Sequence, residues 1–411
     1  MHPDQPVLFS NARIIDGSGD DPFAGDVLVE GSHISAVGRA GVVRRPADAR
    51  VVEAEGATLM PGLCDAHTHF SWNNGASLDA LADIGVEEHT LLSARSAKTY
   101  IDYGYTSCVG AASAKQRLDV VIRNAINAGD LPGPRYLANG MEIASTGGAL
   151  VSGISNFVDG PDEMRKTVRM LIGVGVDLIK LILSGEEITG TRRAEDTYFT
   201  DAEIEVAVTE AHRRGVRVCA HARSAESVKM CLRTGVDIIY HASFIDEEGM
   251  DELERQKDRV FVAPGLNWLV ATLEDAAPWG VTADLADQMG YKRELAIAIE
   301  GMSEAHRRGV RVLPGGDYGF AWTPHGTYAR DLDHQVRLLG FTPMESIVSA
   351  TKQGGEIMGR PGDLGLVRPG YLADLILVDG DPLADITILQ DRNKITAVMK
   401  DGRFHREPPA G

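Results

Sequence analysis

The chain has 411 residues, 44% of them hydrophobic, which is enough for a full buried core and more than one domain usually holds, so one large and one small domain are expected. Its 59 acidic residues against 41 basic ones leave a formal charge of −18, which argues against nucleic acid as a partner, because phosphate contacts need clustered Lys and Arg. No apolar run approaches the roughly 20 residues that span a bilayer, and MHPDQPVLFS has no basic segment followed by an apolar one. The expectation is therefore a cytoplasmic protein with a small-molecule substrate and no membrane partner.

Taken in chain order, residues 7–55 show short β-type runs punctuated by Gly, Asp and Pro, and 1–60 is read as the first part of a small β-sandwich. Residues 61–361 alternate apolar runs of strand length with charged, alanine-rich runs of helix length, the pattern of βαβ units around a parallel sheet. The expected strands are 63–70, 106–111, 135–143, 177–183, 217–223, 237–243, 259–265 and 311–319, which makes an eight-stranded α/β barrel of the TIM type, (β/α)8. AHRRGVRV occurs at 211–218 and again at 305–312, each time as a helix end, a glycine and a strand start, with Gly215 and Gly309 as left-handed caps. Residues 362–411 return to β-type runs and supply the second part of the sandwich, bringing the chain ends together. Cys64, Cys108, Cys219 and Cys231 show no CxxC spacing, so they are read as buried thiols in a reducing compartment.

The chemistry-bearing residues fall at strand ends. His67 and His69 sit two apart at the end of the first barrel strand, where alternation points both to one face and offers a metal two nitrogen ligands. Lys180, His221, His241 and Asp317 stand at the ends of strands four, five, six and eight, each inside an apolar run where an unpartnered ionisable group is costly. In DLIKLIL, Leu178, Lys180 and Ile182 share the interior face if Ile179, Leu181 and Leu183 pack on helices. Lys180 is then either an ion-paired structural lysine or a group chemically altered to serve as a ligand. Asn139, Glu142, Glu186, Glu187 and Asn267 fall where loops line the barrel mouth, with Arg223 and His325 as the stronger substrate-binding candidates. Trp72, Tyr105, Trp268, Phe320 and Trp322 offer flat apolar walls, and Trp72 and Trp268 join the substrate-binding set. The remaining histidines lie in termini, loops or helices and are read as structural.

MPGLCDAHTHF, VDLIKLILSGE, AHARSAESV, IIYHASF, GGDYG and LGLVRPGYLADLILVDGDPL together resemble the metal-dependent amidohydrolase superfamily along essentially the whole chain. The nearest likeness is to the imidazolonepropionase-like branch with its Xaa-Pro dipeptidases, ochratoxinase, and molinate and phenylurea hydrolases. The resemblance implies two divalent metal ions, with zinc the default. His67, His69 and Asp317 would hold one, His221 and His241 the other, and Lys180, carboxylated by carbon dioxide to a carbamate, would bridge both. It also implies a homo-oligomer. TGGAL at 146–150 lacks the histidine that peptidase-like members carry after this turn, and Arg223 replaces their aromatic residue, whereas His67 stands where phenylurea hydrolases have asparagine.

The expected reaction is hydrolysis of an amide, urea or carbamate C–N bond in a small, partly apolar molecule, with Asp317 as catalytic base toward a metal-activated water. The alternative is a dipeptidase-like or ochratoxin-type hydrolase of N-acyl amino acids, and Arg223 decides between them: facing a substrate carboxylate it favours the second, facing a neutral carbonyl the first. Two other classes compete. A Schiff-base lyase would need Lys180 free and unmetallated, and a non-catalytic scaffold would have lost the ligand positions.

Overall fold

The computed structural model describes residues 5–408. Strands from both ends of the chain form one eight-stranded sheet, ordered 403–406, 395–400, 375–378, 58–61, 7–14, 23–30 and 33–39, with 50–53 also paired to 7–14. The junction of the two ends is the antiparallel pairing of Leu375–Val378 with Thr58–Pro61. The hydrogen-bonded ladder is continuous through these strands. Its alternating apolar residues, among them Phe9, Ile14, Val27, Val29, Leu59, Leu375 and Leu377, enclose a core separate from that of the central region. Arg135 fastens the two regions together by pairing with Asp374 at 3.0 Å and with Asp401.

The central region carries two parallel sheets. One joins Leu63–Thr68, Tyr105–Gly110 and Arg135–Leu137; the other runs 155–157, 142–144, 178–182, 217–222, 238–241 and 261–263. On one side Asp177 N–H donates to Ala138 O at 2.8 Å; on the other the 311–314 segment stands between the sheets, with Ala66 N–H donating to Pro314 O at 3.0 Å, Val262 N–H donating to Arg311 O at 3.0 Å and Leu313 N–H donating to Val262 O at 2.8 Å. Two expected strands come out differently. Residues 135–143 split at 138–141, where the Asn139 side chain accepts the Gly140 N–H in place of a ladder partner. Residues 311–319 form no strand beyond the Val312 bridge, because Pro314 has no N–H to donate and Gly315 and Gly316 follow it.

Helices pack outside these strands. Gly215 (φ 70°) and Gly309 (φ 76°) are left-handed, as the repeated AHRRGVRV predicts. The helix Asp201–His212 starts in a capping box of Thr200 and Glu203. Ile179, Leu181 and Leu183 join the cluster containing the helix residues Val168, Leu171, Ile204 and Ala207, whereas Leu178 joins an inner layer with Ala66, Val109, Cys219, Ile238, Tyr240, Ala263 and Leu313. The alternation read from DLIKLIL therefore holds, and Lys180 faces inward. All four cysteines are buried and unpaired.

Candidate metal centre

His67 and His69 reach the same cavity by way of a ladder irregularity. Cys64 and Ala66 belong to the inner layer, so strict alternation would send His67 outward; the shift in pairing between Asp65 and Thr68 reverses this. Asp65 holds the irregularity by accepting the His67 N–H at 2.8 Å and the Tyr100 hydroxyl at 2.9 Å. The rings of His67 and His69 lie 5.2 Å apart; His67 is 5.2 Å from His241, and His241 is 4.4 Å from His221. Asp317 Oδ1 stands 3.2 Å from His69 Nε2 and 3.7 Å from His67 Nε2. One potential ligand atom from each of His67, His241 and Asp317 lies within 4.8 Å of the others.

Backbone geometry at these positions is strained. His241 (φ 74°), Ala242 (φ 53°) and Asp317 (φ 61°) are left-handed without being glycine, a conformation that costs on the order of 1–3 kcal/mol per residue and clusters at functional sites. Gly315 allows the close approach of the 312–317 segment: a Cβ there would lie 2.8 Å from His67 Cβ.

The polar atoms are left available to a ligand. His69 Nδ1–H donates to Ala112 O at 3.2 Å, so its Nε2 carries the lone pair. His221 instead donates Nε2–H to Gly185 O at 3.0 Å, which leaves Nδ1. Both nitrogens of His241, Nε2 of His69 and Oδ1 of Asp317 are buried without a hydrogen-bond partner. Burial lowers the pKa of His67, His69, His221 and His241, keeping them neutral. Burial pushes the Asp317 carboxyl up, but His67, His69 and Lys180 outweigh it and hold it below the ordinary carboxylate range.

Lys180 is 2% exposed, and its Nζ lies 4.3 Å over the Tyr240 ring. No carboxylate among the described residues is within ion-pair distance of it. Burial lowers its pKa toward the neutral amine. Glu142, which also lines the cavity, is pushed up to about 7 by burial, with Lys180 and Ser155 pulling it back.

The cavity has a volume of about 530 Å³ and runs from His67, His69, Lys180, His221 and Asp317 to walls that include Trp72, Trp268, Phe320, Leu150 and Ile188. Trp72 stacks on His69 at 3.5 Å, and Trp268 lies 4.4 Å from Phe320. Both expected aromatic contacts thus line the site.

Arg223 and His325 do not. The Arg223 side chain is fully buried, pairing with Glu186 and, at 2.5 Å, with Glu294, so it faces neither a substrate carboxylate nor a carbonyl. His325 donates Nε2–H to Trp72 O at 3.0 Å and is not among the residues lining the cavity. Tyr105, Asn139 and Asn267 are buried structural residues, and so are His89 and His334; His2 lies outside the described residues.

Tyr240, which stacks on His67 at 3.9 Å, is a site residue hidden in the apolar run IIYH. Arg192 was equally unmarked in a charged loop, although it lines the cavity.

The amidohydrolase family profile matches residues 58–404. Ochratoxinase of Aspergillus niger is 28% identical over 387 residues, spanning 86% of this chain and 76% of that protein. Imidazolonepropionase of Shouchella clausii is 22% identical over 421 residues, spanning 92% and 85%. A Xaa-Pro dipeptidase structure with methionine in its active site has a TM-score of 0.87 at 26% identity, covering 98% of this chain and 100% of that one. The converging strand ends and the matched profile lead to one conclusion: the chain belongs to the amidohydrolase family, and it is a hydrolase of carbon–nitrogen bonds.

Proposed function

We propose that the enzyme hydrolyses an amide, urea or carbamate C–N bond of a small, partly apolar molecule at a centre formed by His67, His69, Lys180, His221, His241 and Asp317. One observation carries this reading: neutral histidines from three strand ends and an ionised aspartate from the segment after Pro314 converge, while buried polar atoms of His69, His241 and Asp317 remain unpaired. Unpaired buried polar atoms are costly, and this set of nitrogens and carboxylate oxygen fits a divalent cation. His67, His69 and Asp317 would hold one ion and His221 and His241 a second, with zinc the expected metal. Lys180 would be shared as a carbamate, because the neutral amine that burial favours is the form that adds to carbon dioxide. When bound, such ions lower the pKa of water toward neutrality and polarise the substrate carbonyl.

The chain's own residues do the rest. Asp317 takes a proton from the attacking water and delivers it to the leaving nitrogen. Trp72, Trp268 and Phe320 flank the apolar body of the substrate and exclude bulk water. We further read the parallel strands as a (β/α)8 barrel over 61–361, with 1–60 and 362–411 forming the small β domain.

The test is metal analysis of the purified protein together with Asp317→Asn. About two divalent ions per chain are expected, and the variant should lose about 10²- to 10⁴-fold in kcat. Undiminished turnover in Asp317→Asn with metal retained would remove Asp317 from this role. Full activity in rigorously metal-free protein would remove the centre.

A further inference from the structure

Residues 184–198 form a loop that contributes Glu186, Ile188, Thr189 and Arg192 to the cavity lining. Its base is closed by the Ser184–Thr197 bridge and by Tyr198 N–H donating to Leu183 O at 3.0 Å. Its start is anchored where the Glu186 carboxylate meets Arg223 and accepts the Tyr291 hydroxyl at 2.7 Å.

Within this loop Arg192 is held from several sides. Its N–H donates to Thr189 Oγ1 at 2.9 Å, its carbonyl accepts from Glu186 N–H at 2.9 Å and Thr189 Oγ1 at 3.1 Å, and its Nε–H donates to Gly147 O at 3.0 Å. Nη1 and Nη2 make no hydrogen bond or ion pair among the described residues. The guanidinium is thus pre-oriented with one edge uncommitted, the arrangement that lowers the entropic cost of gripping a ligand.

The surrounding charge sharpens the point. Asp79, Glu142, Glu186 and Asp317 also line the cavity, so an anion entering it meets repulsion except near a cation. Arg223 is already neutralised by Glu186 and Glu294, and Lys180 lies at the histidine end. Among the described residues lining the cavity, Arg192 supplies the guanidinium, and no carboxylate pairs with it.

We propose that Arg192 is a specificity-determining residue that grips a carboxylate carried by the substrate, donating two parallel hydrogen bonds from its free edge. The preferred substrates are then N-acyl amino acids or similar amides in which an apolar body links the scissile C–N bond to a carboxylate. This rests on the cavity being the site of C–N hydrolysis.

The experiment titrates the metal-loaded enzyme with 3-phenylpropionate and with 3-phenylpropan-1-ol, reading the fluorescence of the cavity tryptophans Trp72 and Trp268. The wild type should bind the acid about 10- to 100-fold more tightly than the alcohol. Arg192→Met should bring the two within about twofold of each other, and Arg192→Lys, a point charge without the fork, should fall between. Equal binding of both by the wild type, binding of neither, or an acid preference that survives in Arg192→Met would each overturn the proposal.

A parallel hydrolysis assay uses N-benzoyl-phenylalanine against N-benzoyl-phenylalaninol, where the acid should lead in kcat/KM and lose its lead through KM in Arg192→Met. Arg192-dependent acid binding with no cleavage of either amide would uphold the anion site and overturn the hydrolytic reading.

Discussion

Replacing Arg223 with methionine, which keeps much of the side-chain volume, would strand two carboxylates. The side chains of Arg223 and Glu294 are 0% exposed and that of Glu186 7%, so water cannot take over the lost charge. Removing one partner of a buried ion pair costs about 3–5 kcal/mol. With about 2.1 cal/mol/K of unfolding entropy per residue, that corresponds to a fall in Tm of about 3–6 °C for a chain of this length.

The deficit should depend on pH in a definite direction. Glu186 is pushed up to about 7, burial raising it and Arg223 pulling it back, against about 4.3 in the unfolded chain. A carboxyl with a raised folded pKa contributes stability that is fully present below its unfolded pKa and lost as pH rises through the folded one. Arg223→Met takes away the group that pulls Glu186 down, so the window of loss extends above about pH 7. Calorimetric scans of wild type, Arg223→Met and Arg223→Met/Glu294→Gln should therefore show a deficit that is largest near pH 8, shrinks toward about pH 4, and is partly recovered in the double variant. A deficit below about 1 °C near pH 8, or one independent of pH, would refute the reading of this cluster as a tightly compensated buried charge group.

Lys180→Arg should leave the fold intact but lower bound metal, since a guanidinium remains cationic and cannot take up carbon dioxide; metal content and activity equal to wild type would exclude a bridging lysine. Gly315→Ala places a methyl 2.8 Å from His67 Cβ and 3.0 Å from its backbone nitrogen, which must displace His67. Activity should fall on the order of 10²-fold from that misplacement, with metal affinity reduced, as read by steady-state kinetics and metal titration.

Much of the site could be read from local pattern. DLIKLIL carries the period that turns Lys180 inward, and the glycines of the two AHRRGVRV copies are the left-handed caps expected of them. Hydrophobic period and cap chemistry act over a few residues, so the linear chain contains them whole. What only the tertiary structure decided depends on groups far apart in sequence or on backbone forced by packing. Arg223 meets Glu294 across 71 residues, and that contact turns an expected substrate ligand into the core of a buried charge cluster. His325 is tied to Trp72 by a bond spanning 253 residues. The left-handed turns at His241 and Asp317, and the loss of strand pairing after Pro314, bring those two side chains beside His67; alternation alone, which assumes an unbroken ladder, cannot produce either.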